Sequence, residues 1–151
     1  MGLDMYLSGK RHVSDYRDTD KDLSDKVKHL GVPETLGRVE YIQTDAAYWR
    51  KANAIHQWFV DNIQDGSDNC GEYWVGIDQL KDLVGVCKQV LENNDLAKTL
   101  LPSQPGFFFG STDYDEWYYQ DLRLTVEQLE KILSTPEEEL KLWEFFYSSS
   151  W

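Results

Sequence analysis

Three segments of the chain repeat their apolar residues every three to four positions, and this spacing limits its fold more than any other feature. Tyr48, Ala52, Ile55, Phe59 and Ile63 form the first, with Thr44 or Asp45 placed to cap a helix. Ile77, Leu80, Val84, Cys87 and Leu91, bracketed by Leu83 and Val90, form the second. Tyr118, Leu122, Val126, Leu129 and Leu133 form the third, which ends near Ser134. Each predicts an amphipathic helix whose apolar stripe must be covered by another layer.

The covering layer is found in short extended segments. Leu3, Met5 and Leu7 alternate with Asp4 and Tyr6, the period of a strand with one face inward. A second strand is predicted over 36–42, a short third over Glu72 to Val75, and an extended end over Trp143 to Trp151 that pairs with the opening strand. Thr135-Pro136-Glu137-Glu138 starts a short fourth helix. Between Gly106 and Gly110, the three phenylalanines predict a buried strand or an ordered loop. The reading is an α+β fold, with three main amphipathic helices packed on a small, mostly antiparallel sheet of short strands.

A length of 151 residues suits one domain over 1–151. Within it, 8–34 reads as a charged surface excursion holding at most one short helix, through Leu23, Val27 and Leu30. Its acids Asp15, Asp18, Asp20, Asp22 and Asp25 alternate with Arg17, Lys21 and Lys26, the pattern of a solvated face.

Composition removes several classes of function. Aromatic residues at 14% oppose disorder. No apolar run approaches the roughly 20 residues of a membrane span, and the acid at Asp4 is unlike the start of a signal peptide. The expectation is a cytoplasmic protein with no membrane partner. A net charge of -12 opposes direct contact with nucleic acid, which is bound by displacing counterions with Lys and Arg. Two cysteines, Cys70 and Cys87, make no disulfide framework or zinc set; no cofactor motif occurs, and none is expected. Nothing in the sequence sets an oligomeric state.

The strings Gly2-Leu3-Asp4-Met5-Tyr6-Leu7, Tyr48-Trp49-Arg50-Lys51-Ala52-Asn53-Ala54-Ile55-His56, Asn69-Cys70-Gly71-Glu72-Tyr73 and Gly106-Phe107-Phe108-Phe109-Gly110-Ser111 resemble, in this order and from end to end, a family of small uncharacterised proteins of bacteriophages and bacteria. The resemblance implies a phage or prophage origin and life inside a host cell. A phosphoglycerate kinase label sometimes attached to such proteins does not suit a chain with no phosphate-cradling glycine loop and too short for two domains.

Three constellations could carry chemistry. His56 and Cys70 could form an imidazole–thiol pair, with Asp115 or Glu72 orienting the ring. A planar ligand could meet Trp49, Asn53, His56, Phe108, Ser111, Tyr114, Asp115 and Tyr118, while Arg50 or Lys51 meets a phosphate. On a helical wheel, however, Arg50 points away from His56. Asp61, Asp65 and Glu72 take ligand places of an EF-hand loop, but Ile63 stands where a third ligand is needed, so no metal is expected. Cys87 reads as a core residue. The leading expectation is an accessory protein that binds a host protein or a nucleotide-like small ligand. The alternatives are a small Cys/His-dependent hydrolase or transferase, and an acidic DNA mimic that inhibits a host defence enzyme.

Overall fold

The computed structural model describes residues 2–151. Strand β1 (Asp4–His12) lies inside the sheet, with β2 (Tyr41–Arg50) on one side and β4 (Trp143–Ser150) on the other. The short β3 (Tyr73–Val75) extends the far side, giving the order β2-β1-β4-β3 with every pair antiparallel. Helices α1 (Asp18–His29), α2 (Asn53–Asn62), α3 (Ile77–Glu92), α4 (Ala97–Leu100), α5 (Glu116–Leu133) and α6 (Glu137–Leu140) complete an α+β fold. No helix among the described residues is long and apolar enough to cross a membrane.

The alternation read at the amino terminus holds: Leu3, Met5 and Leu7 are fully buried, whereas Tyr6 is exposed. Opposite them, Tyr147 and Phe145 point inward from β4, and the Tyr147 ring stacks on Phe59 of α2 at 3.9 Å. Helices α3 and α5 bury Leu80, Leu83, Cys87 and Val90 against Leu122 and Leu129, as their spacing requires. Desolvation pushes the Cys87 thiol up to about 12, so it stays a protonated core group. The outer edge of β2 is covered by α5: the Gln128 amide accepts from Tyr48 N–H at 2.9 Å and donates to Tyr48 C=O at 3.1 Å, imitating one rung of a strand.

Two expectations are corrected. The helix predicted to start near Thr44 begins at Asn53, and Tyr41–Arg50 is a strand. Ala47 and Trp49 point inward while Tyr48 and Arg50 are exposed, so period two governs here; the spacing of Tyr48 to the later helix residues is coincidental. The strand expected over 36–42 accordingly starts only at Tyr41, after a 3₁₀ turn at Glu34–Leu36.

The second correction concerns 8–34. Ser8 to His12 continue β1 and pair with β2, so the excursion is shorter than expected, and α1 spans twelve residues. Nor are its acids all solvated. Asp20 is fully buried, accepting from the Ser14 N–H at 2.9 Å and Arg11 Nη2 at 2.7 Å, with Arg17 Nε at 3.2 Å. The Ser14 amide, then the two guanidinium groups, hold its carboxyl below the ordinary value of 3.8 against the opposing effect of burial. A depressed carboxyl contributes stability above its unfolded pKa and loses it as pH falls through the folded value. Asp20→Ala is therefore expected to lower unfolding free energy by about 3 kcal/mol at pH 7, since it leaves two cations facing an empty site. In urea melts the difference from the parent should shrink as the pH is taken below about 4; a constant difference would contradict the charge assignment.

Candidate functional site

At the end of β2 the chain turns sharply. Lys51 N–H donates to Leu3 C=O at 2.7 Å, Lys51 itself has φ +57, and α2 begins two residues later. No side chain caps α2; the Asn53 N–H is taken by Lys51 C=O at 2.9 Å, which leaves the Ala54 and Ile55 N–H groups of the first turn without a side-chain cap. The asparagine at this corner is 5% exposed and joins distant backbone: its Nδ2 donates to Phe109 C=O at 3.2 Å and Ser111 C=O at 2.9 Å, and its Oδ1 accepts from Gln104 N–H at 3.0 Å. Asn53 thus draws the loop 103–111 over the corner. The approach is close at Gly110, where φ is +93 and a Cβ would sit 3.2 Å from Lys51 Cβ.

The amino-terminal half of α5 closes the third side. Asp115 caps it, accepting from Tyr118 N–H at 3.1 Å, and the Tyr118 hydroxyl donates to Leu101 C=O at 2.8 Å. Burial raises the Tyr118 phenol well above its ordinary value. Between these elements lies a cleft of 290 Å³. Arg50, Lys51 and the first turn of α2 line it together with Gly110 and Ser111 from the loop and with Asp113, Asp115, Trp117 and Asp121. Neither Arg50 nor Lys51 is ion-paired among the described residues. Asp121 is partly buried, and its carboxyl is raised to about 6 by desolvation first and by the neighbouring Asp115 charge second.

The expected ligand set therefore divides. Asn53, Ser111, Asp115 and Tyr118 line the cleft, joined by Arg50 and Lys51. Trp49 is buried elsewhere, donating from Nε1 to Thr125 Oγ1 at 2.9 Å. Tyr114 accepts from Ser103 N–H at 3.1 Å, and Phe108, with φ +66, is half exposed outside the cleft. Trp117 and Asp121 were not expected, although their spacing of four places them on one side of α5.

His56 is fully buried away from the cleft, and both ring nitrogens are engaged: Nδ1 with the Tyr147 hydroxyl at 2.7 Å and Nε2 with Asp68 Oδ2 at 2.9 Å. The other Asp68 oxygen accepts from the Trp151 indole at 3.1 Å. Burial, then the Asp68 charge, raises the Tyr147 phenol well above its ordinary value. Cys70 lies exposed on the following loop, with φ +56, and is not among the partners of His56. Neither acid expected to orient the ring does so: Asp115 caps α5, and Glu72 pairs with Lys10 at 2.6 Å. Of the other EF-hand-like acids, Asp61 accepts from Gln57, and Asp65 sits in a turn with φ +50. Among the described residues no group of three or more His, Cys, Asp or Glu is arranged to hold a metal ion.

No protein-family model, curated protein or solved structure matches the chain.

A carboxyl whose folded pKa is raised opposes folding once it ionises, so stability is lost as pH rises between the unfolded value of 3.8 and the folded value of about 6. Asp121→Asn should accordingly raise the melting temperature at pH 7 and leave it nearly unchanged at pH 4. A carbon-detected NMR titration should place the Asp121 midpoint near 6, and Asp115→Asn should lower it; an unperturbed midpoint would contradict the burial read here.

Proposed function

We propose that the chain is a phage-type accessory protein that acts in the host cytoplasm by binding a small nucleotide-like ligand in the cleft between the β2–α2 corner and α5. The phage origin rests on the four sequence strings and the ligand class on the cleft. The observation that carries the reading is the meeting, in one cavity, of two unpaired cations, an uncapped helix start and an exposed indole. Cations and first-turn N–H groups suit an anionic oxygen cluster such as a phosphate. The Trp117 face, 77% exposed, suits a planar base. A volume of 290 Å³ stands at the lower limit for ligand cavities and favours a monophosphate over a larger nucleotide. Among the described residues His56 bonds to Tyr147 and Asp68 and not to Cys70, so the cysteine hydrolase reading lacks its nucleophile–base contact.

Adenosine monophosphate at 100 times its dissociation constant should add about 2.7 kcal/mol of stability and raise the melting temperature by about 5 °C or more. Arg50→Gln combined with Lys51→Asn should remove most of that rise; asparagine is chosen because it tolerates the left-handed backbone at position 51. If neither nucleoside monophosphates nor inorganic phosphate changed the melting temperature, the reading would fail, and pull-down from host lysate would test a protein partner in its place.

A further inference from the structure

We infer that the open face of the sheet, on the side away from the core, docks an extended arginine-rich segment of a protein partner. This surface is separate from the cleft and stands whether or not the cleft takes a nucleotide.

Because Met5, Leu7, Trp49, Val75, Phe145 and Tyr147 point into the core, their neighbours along each strand point out of the other face of the sheet. The register places four aromatic residues there, one on each strand. Tyr6 lies opposite Tyr48, with ring centroids 5.4 Å apart. Ser8, the next outward position of β1, lies opposite Phe146, and Phe146 lies opposite Trp74. These rings form a band that crosses all four strands, about 14 Å wide at the usual strand spacing. Tyr6 is 40%, Tyr48 43% and Trp74 58% exposed, so the band is left open to solvent.

The charges around the band point to a cationic partner. Lys10 already places its ammonium 4.6 Å from the centre of the Phe146 ring, and Glu72 holds it at 2.6 Å. A basic side chain on a ring with a carboxylate beside it is thus an arrangement that this surface makes within the chain. Three more acids border the band. Asp4 accepts from the Tyr48 hydroxyl, whereas Asp45 and Glu144, opposite Ser8 and Lys10, are exposed and join no ion pair among the described residues. Arginine suits such a surface better than lysine, because its planar guanidinium stacks on rings and is less strongly hydrated. At about 3.3 Å per residue, four or five extended residues cross the band.

Two other occupants fit less well. A second copy would set a charge of -12 against -12. The band also covers only on the order of 200 Å², well short of the about 800 Å² per partner of a stable dimer. A single strand of nucleic acid would stack its bases on the rings, but its phosphates would meet the same acids.

The test is titration of the full chain with a six-residue peptide of alternating arginine and glycine, followed by indole and amide chemical shifts. The Trp74 indole and the Tyr6, Tyr48 and Phe146 amides should move, with the Trp117 indole still; this mapping needs no variant. Trp74→Thr should weaken binding about fivefold, and Trp74→Thr combined with Tyr6→Thr about twentyfold, with net charge unchanged. Threonine is chosen because it favours a strand. A lysine–glycine peptide of the same charge should bind about threefold more weakly or worse. Shifts spread over the acidic surface without the Trp74 indole, undiminished binding by a folded double variant, or equal affinity for the two peptides would overturn the inference and leave charge alone as the attraction. Oligothymidylate that moved the Trp74 indole and displaced the peptide would overturn it in favour of nucleic acid.

Discussion

The side-chain amide of Asn53 is the contact on which the site depends. The loop 103–111 follows Pro102, has Pro105 near its start and glycines at both ends of its phenylalanines, and contributes no strand or helix. Its course over the β2–α2 corner is set by the three bonds that Asn53 makes to Gln104, Phe109 and Ser111. Each buried bond contributes about 1 kcal/mol, and leaving one of the three groups unpaired would cost more than that. Phe109 completes the closure by placing its ring edge-on to His56 at 5.4 Å. Without this clamp the cleft loses the wall that Gly110 and Ser111 supply.

Helix α2 is organised by two buried polar residues in its first turn. Asn53 gathers the loop; His56, three residues on, joins Tyr147 of β4 to Asp68 and, through it, to Trp151. Their apolar neighbours Ile55 and Phe59 supply most of the burial, but apolar contact alone would let the helix rotate. Fully satisfied polar groups do not, because a rotation would leave several of them unpaired in a low-dielectric interior. The Lys51 backbone at φ +57 is held in the same way, between the Leu3 carbonyl and Gly110.

Much of the fold was legible in the sequence because period decides it. β1, α3 and α5 follow their apolar repeats, and the end of the chain pairs with its beginning as expected. The β2–α2 boundary was not legible: Tyr48 falls in helical register with Ile55 and Phe59 although it belongs to a strand, and no proline or glycine marks the break at Lys51. Asp20 escaped for a related reason. Its arginine partners lie three and nine residues away, and only the turn at Ser14 brings the farther one to it. Of the site, Asn53, Ser111, Asp115 and Tyr118 were found from their residue types. Asp121 was not, since an acid on a charged helix gives no sign of facing a cavity until the opposite wall is known.

The central claim is that this corner, rather than the open face of the sheet with its exposed Tyr6, Tyr48 and Trp74, is where the protein meets its ligand. Amide and indole chemical-shift mapping during titration with adenosine monophosphate separates the two surfaces directly. The claim requires the largest changes at the Ala54 and Ile55 amides, the Ser111 amide and the Trp117 indole, with the Trp74 indole unmoved. Changes centred on Tyr6, Tyr48 and Trp74 with the α2 amides silent would contradict it.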